Sequence, residues 1–253
     1  MKITFLGTGT SQGIPIIGCP CAVCQSSDTK DKRLRCSVQV EYQGKTIIID
    51  VGPDFRQQML RANTTYIDGI LITHGHNDHI AGLDDIRPFN FLHEMDMPVY
   101  GQANVLEFLK QRYPYIFQGN YPGVPRVLLH EIDENSRPTL AGIPILPILV
   151  NHGNLPILGY RIGDFAYLTD FKTINDSELP KLTGIKTLVV SALQQEQHHS
   201  HATLEESLAF AAQVDAPMTY LTHLSHSMGT HEATAQLLPE RIQIAYDGLV
   251  IKL

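Results

Sequence analysis

This sequence of 253 residues has no long apolar run, and that shortage excludes a membrane-spanning protein. Its longest apolar stretch, Gly142 to Val150, contains two prolines and is too short to cross a bilayer. The opening, Met1 to Leu6, is too short for the apolar core of a secretory signal and runs directly into a glycine turn. We therefore expect a cytoplasmic protein that does not associate with membranes.

Positive charge is also scarce, because 19 lysines and arginines stand against 26 acidic residues and the formal net charge is -7. A protein that grips a long nucleic acid usually presents a basic stripe. The densest basic stretch here, Lys30 to Arg35, is diluted by Asp31. We expect no stable nucleic-acid partner, whereas a small anionic substrate neutralised by metal ions is compatible with an acidic surface.

Cysteine is rare as well, yet three of the four cysteines fall in the run Cys19-Pro20-Cys21-Ala22-Val23-Cys24. This spacing is too tight for ordinary disulfides among the three. Three thiolates in one loop suggest a tetrahedral structural zinc that needs a fourth ligand. His226 is the first candidate for that ligand. Cys36 competes with it, although its place in a predicted strand favours an ordinary buried thiol.

Histidine, in contrast, is abundant, with 12 residues that are not scattered evenly. The run His74-Gly75-His76-Asn77-Asp78-His79 follows the predicted strand Gly69–Thr73 and holds three imidazoles and a carboxylate within six residues. Imidazole and carboxylate ligands suit zinc, manganese or iron(II). In such a loop His74 and His76 can face one cation while Asp78 and His79 face another.

Other polar residues stand where predicted strands end, which suits a rigid site surrounded by loops. These residues are Asp50, His152, Asp170 and His223. Two ions need about seven or eight ligand positions, so His152 and His223 are natural recruits and Asp170 is placed to bridge the ions. Asp50 is expected to orient a ligand imidazole, with a simple Asx turn as the alternative.

Many short β-like runs alternate loosely with helical patterns, without strict strand–helix–strand order. This arrangement predicts an α/β protein with two sheets and helices outside them, formed as a single domain over residues 1–253. The stretch from His93 to Arg137 contains four prolines and matches the pattern poorly. We interpret that stretch as a lid-like insertion that selects the substrate.

The order of the candidate metal-site residues resembles the motif pattern of the metallo-β-lactamase superfamily. These residues are Asp50, His74-x-His76-x-Asp78-His79, His152, Asp170 and His223. The opening Thr4-Phe5-Leu6-Gly7-Thr8-Gly9-Thr10 looks like the start of its tRNase Z and phosphodiesterase branches. Three further segments resemble the PhnP-like cyclic phosphodiesterases. They are Gly18 with the cysteine run, Tyr167-Leu168-Thr169-Asp170 and Leu221-Thr222-His223-Leu224-Ser225-His226. The resemblance implies an αββα sandwich of two mixed sheets with helices outside.

The resemblance also implies a ligand set. One ion would take His74, His76 and His152, the other would take Asp78, His79 and His223, and Asp170 would bridge them. Both ions would be manganese or zinc. A structural zinc would be held by the three-cysteine cluster, Cys19, Cys21 and Cys24, together with His226. Members of the family often form homodimers, so a homodimer is expected here.

The expected activity is hydrolysis of a small, cyclic phosphodiester by a hydroxide that bridges two divalent metals. His201, in the run His198-His199-Ser200-His201, matches the catalytic histidine of the family and is assigned as general acid. Asp78 is the second residue assigned to catalysis. His198 is a weaker candidate, for contact with phosphate, and His199 has no comparable match.

Three alternatives remain open. A tRNA 3′-processing endonuclease of the tRNase Z type is opposed by the acidic balance and by the lack of a long Gly/Pro-rich arm. A PqqB-like protein would share the cysteine cluster. An iron-dependent oxidoreductase or sensor could use the same ligands, but no attached flavodoxin or rubredoxin is recognisable. The glycine-rich run Gly7–Gly13 lacks the Gly-Lys-Ser/Thr of a phosphate-binding loop and is interpreted as a turn.

Overall fold

A computed structural model describes residues 1–119 and 122–253 of the chain. The strands are β1 (Lys2–Gly7), β2 (Ser37–Tyr42), β3 (Lys45–Ile49), β4 (Gly69–Leu71), β5 (Met97–Gly101), β6 (Val127–Glu131), β7 (Thr139–Leu140), β8 (Ile143–Pro144), β9 (Leu146–His152), β10 (Leu155–Ile162), β11 (Phe165–Leu168), β12 (Thr173–Ile174), β13 (Thr187–Ser191), β14 (Met218–Thr222), β15 (Ile242–Ile244) and β16 (Val250–Lys252). The α-helices are α1 (Ala22–Gln25), α2 (Phe55–Ala62), α3 (Asn77–Ile80), α4 (Arg87–His93), α5 (Ala103–Arg112), α6 (Pro114–Phe117), α7 (Leu204–Val214) and α8 (His231–Ala235).

Two seven-stranded mixed sheets dominate the described residues. The first has the order β16-β1-β2-β3-β4-β5-β6, and the second has the order β12-β9-β10-β11-β13-β14-β15. In the order given, each sheet begins with antiparallel pairs and ends with three parallel pairs. The parallel strands are β3, β4, β5 and β6 in the first sheet and β11, β13, β14 and β15 in the second. Parallel strands that follow one another need crossover connections, which is where the helices lie.

Apolar side chains on the two faces of each sheet pack into separate cores. In β3, Ile47 and Ile49 pack between the two sheets, whereas Ile48 packs outward against α2, α4 and α5. In β13, Val189 lies between the sheets while Leu188 and Val190 pack outward against α7. The period-two alternation of a strand therefore produces the helix–sheet–sheet–helix layers. The predicted αββα fold is confirmed.

The interpretation of residues 93–137 as a lid-like insertion is wrong. This stretch contributes β5, which pairs in parallel with β4, then α5, and then β6, which pairs in parallel with β5. Val105, Leu106 and Leu109 of α5 are buried in the outer core of that sheet. The stretch is part of the fold rather than an addition to it.

None of the helices formed by the described residues is long and apolar enough to cross a membrane, and the longest of the α-helices, α7, has 11 residues.

Candidate metal centre and active site

The histidines and carboxylates singled out in the sequence meet at one edge of the two sheets. The run His74–His79 follows β4, His152 is the last residue of β9, Asp170 follows β11 and His223 follows β14. Because strand ends are held by the hydrogen-bonded sheets, these side chains are carried by the rigid part of the fold.

Three residues of the site adopt left-handed backbone conformations. Asp50, Asp170 and His223 have φ values of 68°, 54° and 58°. Such values are uncommon outside glycine, less so for aspartate and histidine, and they turn the side chain abruptly out of the strand direction. Local strain of this kind is concentrated at functional sites, where the surrounding structure holds it in place.

The candidate ligand atoms form two adjacent groups. In each group the atoms lie within 4.8 Å of one another: His74, His76 and His152 in the first, and Asp78, His79 and His223 in the second. Asp170 reaches both groups. Its two carboxylate oxygens are 3.2 Å from Nε2 of His79 and of His223 in the second group, and it also clusters within 4.8 Å with His74 and with His152 of the first. The structure thus brings together all seven residues proposed for the two ions.

Asp50 orients His79 from behind. Its Oδ2 accepts a hydrogen bond from His79 Nδ1 over 2.7 Å, and the carboxylate also accepts from the amide and hydroxyl of Thr73, both at 2.8 Å. His79 Nε2 therefore faces the centre. His152 is oriented in the same way, because its Nδ1 lies 2.8 Å from the carbonyl oxygen of Ser200. These are the backing contacts that metal-ligating histidines usually have.

The protonation states of Asp170 and His74 suit the binding of a cation. Burial would raise the pKa of Asp170, but the neighbouring His223 and His79 hold it well below its usual range. Burial likewise lowers the pKa of His74. The site therefore offers an ionised carboxylate beside a neutral imidazole, which is the form in which each binds a metal.

Buried atoms in the centre lack hydrogen-bond partners among the described residues. His79 Nε2 and both ring nitrogens of His223 are buried and make no hydrogen bond, although each Nε2 lies 3.2 Å from an oxygen of Asp170. Buried polar atoms in folded proteins nearly always have a partner. Nitrogen and carboxylate donors at strand ends suit zinc or manganese, so the residues present fit a pair of divalent ions.

The cysteine cluster forms a second, separate group. Nδ1 of His226 lies 3.3 Å, 3.4 Å and 3.7 Å from the sulfurs of Cys19, Cys21 and Cys24. The backbone N–H of Cys24 donates to Cys21, and this bond is the main reason that the pKa of the Cys21 thiol falls to about 6. Cys24 is buried, which raises its pKa to about 11. Four soft donors that surround one point suit a tetrahedral zinc.

Cys36, the competing fourth ligand, is placed elsewhere. Its sulfur is buried beside the hydroxyl of Thr222, at 3.3 Å, and burial raises its pKa to about 12. Cys36 is absent from the four-residue cluster and packs as a core residue.

His201 lies next to the centre formed by the two groups of candidate ligands. Its Nδ1 is 3.8 Å from a carboxylate oxygen of Asp170, and its ring centroid is 4.3 Å from that of His152 and 4.9 Å from that of His223. Burial, followed by the charge of His223, lowers the pKa of His201 to about 3. The capping box of Thr203 at the start of α7 holds the loop that carries His201.

The other two histidines of that loop lie further out. The ring centroid of His198 is 5.1 Å from that of His201, and burial lowers its pKa. His199 is exposed and lines a cleft of about 420 Å³. The cleft is lined by His76, His152, Gly153, Asn154, Leu155, His199 and Ser200. Sequence reasoning missed the turn at Gly153 and Asn154, although Gly-Asn directly after a strand is a hairpin signal.

Comparisons with known proteins show which families and structures this chain resembles. A family model described as "Beta-lactamase superfamily domain" matches residues 45–224. The crystal structure of a diphosphatase from the PhnP family is 43% identical, covers 100% of this chain and 97% of its own, and has a TM-score of 0.93. Zinc-bound PqqB from Methylobacterium extorquens covers 100% of both chains with a TM-score of 0.81, but at 18% identity it shows the fold alone.

A curated relative carries a different name. The protein called octanoyltransferase of Porphyromonas gingivalis is 41% identical over 252 residues, which cover 98% of this chain and 51% of that protein. This chain therefore spans about half the length of that relative, and the name describes the whole of the longer protein.

Proposed function

This chain belongs to the β-lactamase superfamily and, within it, to the PhnP family, and from that premise we propose that it hydrolyses a small phosphodiester held over two divalent metal ions. The fold and the diphosphatase relative identify a metal-dependent hydrolase. The observation that carries the finer proposal is the position of Asp170, which lies 3.2 Å from His79 and His223 of one ligand group and also clusters within 4.8 Å with His74 and with His152 of the other.

We assign the ligands by the two groups. His74, His76 and His152 would hold one ion, and Asp78, His79 and His223 would hold the other, with Asp170 shared. When bound, two such ions lower the pKa of water and neutralise charge on a phosphoryl oxygen. The ions would be manganese or zinc. The cysteine cluster with His226 would hold a third ion, a structural zinc.

His201 is proposed as the general acid. Its ring lies beside Asp170 and His152, and because His152 also lines the cleft, a leaving oxygen held between the centre and the cleft would lie close to it. An anionic phosphate next to the ring favours its protonated form, because an opposite charge stabilises imidazolium. Donation of that proton to the leaving oxygen completes the cleavage of a poor leaving group.

The substrate is proposed to be small. A cleft of about 420 Å³ matches a small-molecule site, and its described lining contains no lysine or arginine to hold an RNA backbone. The tRNA-processing alternative is therefore disfavoured. A diphosphate is the second candidate substrate, because the 43% identical relative is a diphosphatase. The single domain over residues 1–253, the cytoplasmic location and the homodimer stay predictions.

Turnover by protein loaded with manganese or zinc tests the proposal. The substrates are bis(p-nitrophenyl) phosphate, nucleoside 2′,3′-cyclic phosphates, a nucleoside diphosphate and a precursor tRNA, and metal analysis accompanies each assay. We expect cleavage of the small esters and no cleavage of the tRNA. Two bound metals with no turnover of any diester or diphosphate would overturn the proposal, and bound iron with redox activity would support the oxidoreductase alternative.

A further inference from the structure

The cleft beside the metal centre has an uncharged lining. None of its seven described lining residues is a lysine, arginine, aspartate or glutamate. We propose that this cleft is the leaving-group subsite and that it selects an uncharged, flat group over an anionic one. The inference rests on the proposed function and adds to it the chemical class of the substituent that departs.

Position identifies the cleft with the leaving group. His152 lines the cleft, and its ring centroid is 4.3 Å from that of His201, the proposed general acid. His199 and Ser200, on the same loop as His201, line it as well. A group seated there has its ester oxygen on the side where His201 can deliver a proton.

The cleft has a closed base and two dissimilar walls. Gly153 has a φ of 60°, and a Cβ there would lie 3.1 Å from the Cβ of Ser200, so the hairpin turn and the histidine loop meet closely. The bond from His152 Nδ1 to the Ser200 carbonyl joins them at the same place. Leu155 is half-buried and packs on the outer core of the second sheet, which gives one wall an apolar surface.

The opposite wall and the rim suit a planar group. His199 presents an exposed imidazole whose ring centroid is 4.4 Å from that of His198. Imidazole faces and aliphatic side chains pack well against flat rings. The exposed amide of Asn154 at the turn can bond to a polar edge without requiring charge.

An anion on the leaving group would find no lysine or arginine among the described residues that line this cleft. Lys172, the lysine whose charge acts on His198, is paired with both oxygens of Glu206, at 2.9 Å and 3.0 Å. The charge of the metal centre is matched to the phosphoryl group itself. A carboxylate or phosphate on the leaving group would therefore lose water without gaining a partner, which opposes its binding.

Two methyl aryl phosphates test this selectivity. Phenol and 3-carboxyphenol have nearly equal acidity, so the two esters differ in leaving-group charge and hardly at all in intrinsic reactivity. We expect kcat/KM to be about tenfold higher for the phenyl ester, mostly through KM, because the anionic ester lacks a partner in the cleft. Equal kcat/KM values in the native chain would overturn the inference.

Charge substitutions complete the experiment. Asn154→Lys, at an exposed turn, supplies the missing cation and should bring the ratio close to one, and His199→Lys across the cleft repeats the test independently. Gln213→Lys adds the same charge near the far end of α7 and should leave the ratio unchanged. A ratio that moves equally in all three variants, or in none, would overturn the inference.

A third substrate distinguishes failure of the proposed function from failure of the proposed subsite. Bis(p-nitrophenyl) phosphate has good leaving groups and reports on the metal-dependent cleavage itself. Turnover of that ester without discrimination between the aryl pair overturns only the subsite, whereas absence of that turnover removes the proposed function and the subsite together.

Discussion

The two candidate metal sites are assembled in opposite ways. The histidine–carboxylate centre draws on the run His74–His79 and on His152, Asp170 and His223, which are separated by long stretches of chain and meet only at the ends of strands. The cysteine cluster takes three donors from one six-residue run and a single distant one, His226. The first site depends on the whole fold, whereas the second needs only one loop to reach one strand end.

The two sites nevertheless share a strand end. His223 belongs to one and His226 to the other, three residues apart, beyond β14. Between them, the backbone of Leu224 exchanges hydrogen bonds with Thr8 and Thr10 of the loop that leads to the cysteines. A metal in the cysteine cluster would therefore stiffen the segment that carries a ligand of the other site.

The largest effect should come from Asp170→Asn, because it removes the charge shared between the two ligand groups while keeping the side-chain shape. Loss of a buried, paired charge of this kind costs roughly 3–5 kcal/mol, so we expect activity to fall by about a thousandfold and metal content to drop. Asp176→Asn, at an exposed position, is the matched control. Full metal content with near-normal kcat in the Asp170 variant would contradict the bridging role.

His201→Ala should give the next largest effect. A general acid contributes about 10²–10⁴-fold, so cleavage of poor leaving groups should fall by that order while p-nitrophenyl esters suffer much less. Both active-site metals should remain bound, as measured by elemental analysis. Because His201 also groups with His152 and Asp170 within 4.8 Å, loss of a metal would show instead that it is a ligand.

Asp50→Asn should have an intermediate effect, because Asp50 acts through His79 rather than on substrate. Removal of such a backing carboxylate typically lowers metal affinity or activity by about 10–100-fold. Titration with a metal chelator measures the affinity, and the Asp50→Glu variant asks whether a displaced carboxylate restores it. Unchanged affinity in the Asn variant would leave Asp50 as a turn residue only.

Cys21→Ser should have the smallest effect on catalysis and a clear effect on metal content. We expect loss of one zinc equivalent, a lower melting temperature, and activity reduced by about tenfold through the segment that carries His223. Cys36→Ser is the matched comparison and should keep the full zinc content. A zinc equivalent lost from the Cys36 variant rather than the Cys21 variant would reverse the ligand assignment.

Strand prediction from the sequence succeeded where both faces of a strand are buried. Apolar runs with turns after them are typical of such strands and predict the strands Phe165–Thr169, Thr187–Ser191 and Met218–Thr222. These match β11, β13 and β14 within about one residue. β5 and β6 were missed for physical reasons. β5 contains Pro98, which argues against a strand, and β6 is an edge strand whose Leu128 is 51% exposed.

The residues that meet in the candidate centre were all named from the sequence, because histidines and carboxylates clustered directly after apolar runs favour a metal site. Their grouping around Asp170 was also expected, through the resemblance to the superfamily. What could not be derived from spacing was the direction of each side chain. That direction depends on the left-handed backbone at Asp50, Asp170 and His223, which sequence patterns do not report.

The sequence by itself therefore determined the candidate metal donors, their order along the chain, and the layered fold that follows from alternating apolar residues. The tertiary structure alone decided which residues line the cleft proposed for the substrate. Gly153 and Ser200 meet across 47 positions of chain, and His199 faces the cleft while its neighbour His201 faces the metal centre. Such contacts arise from packing between distant loops, and no local pattern encodes which loops will meet.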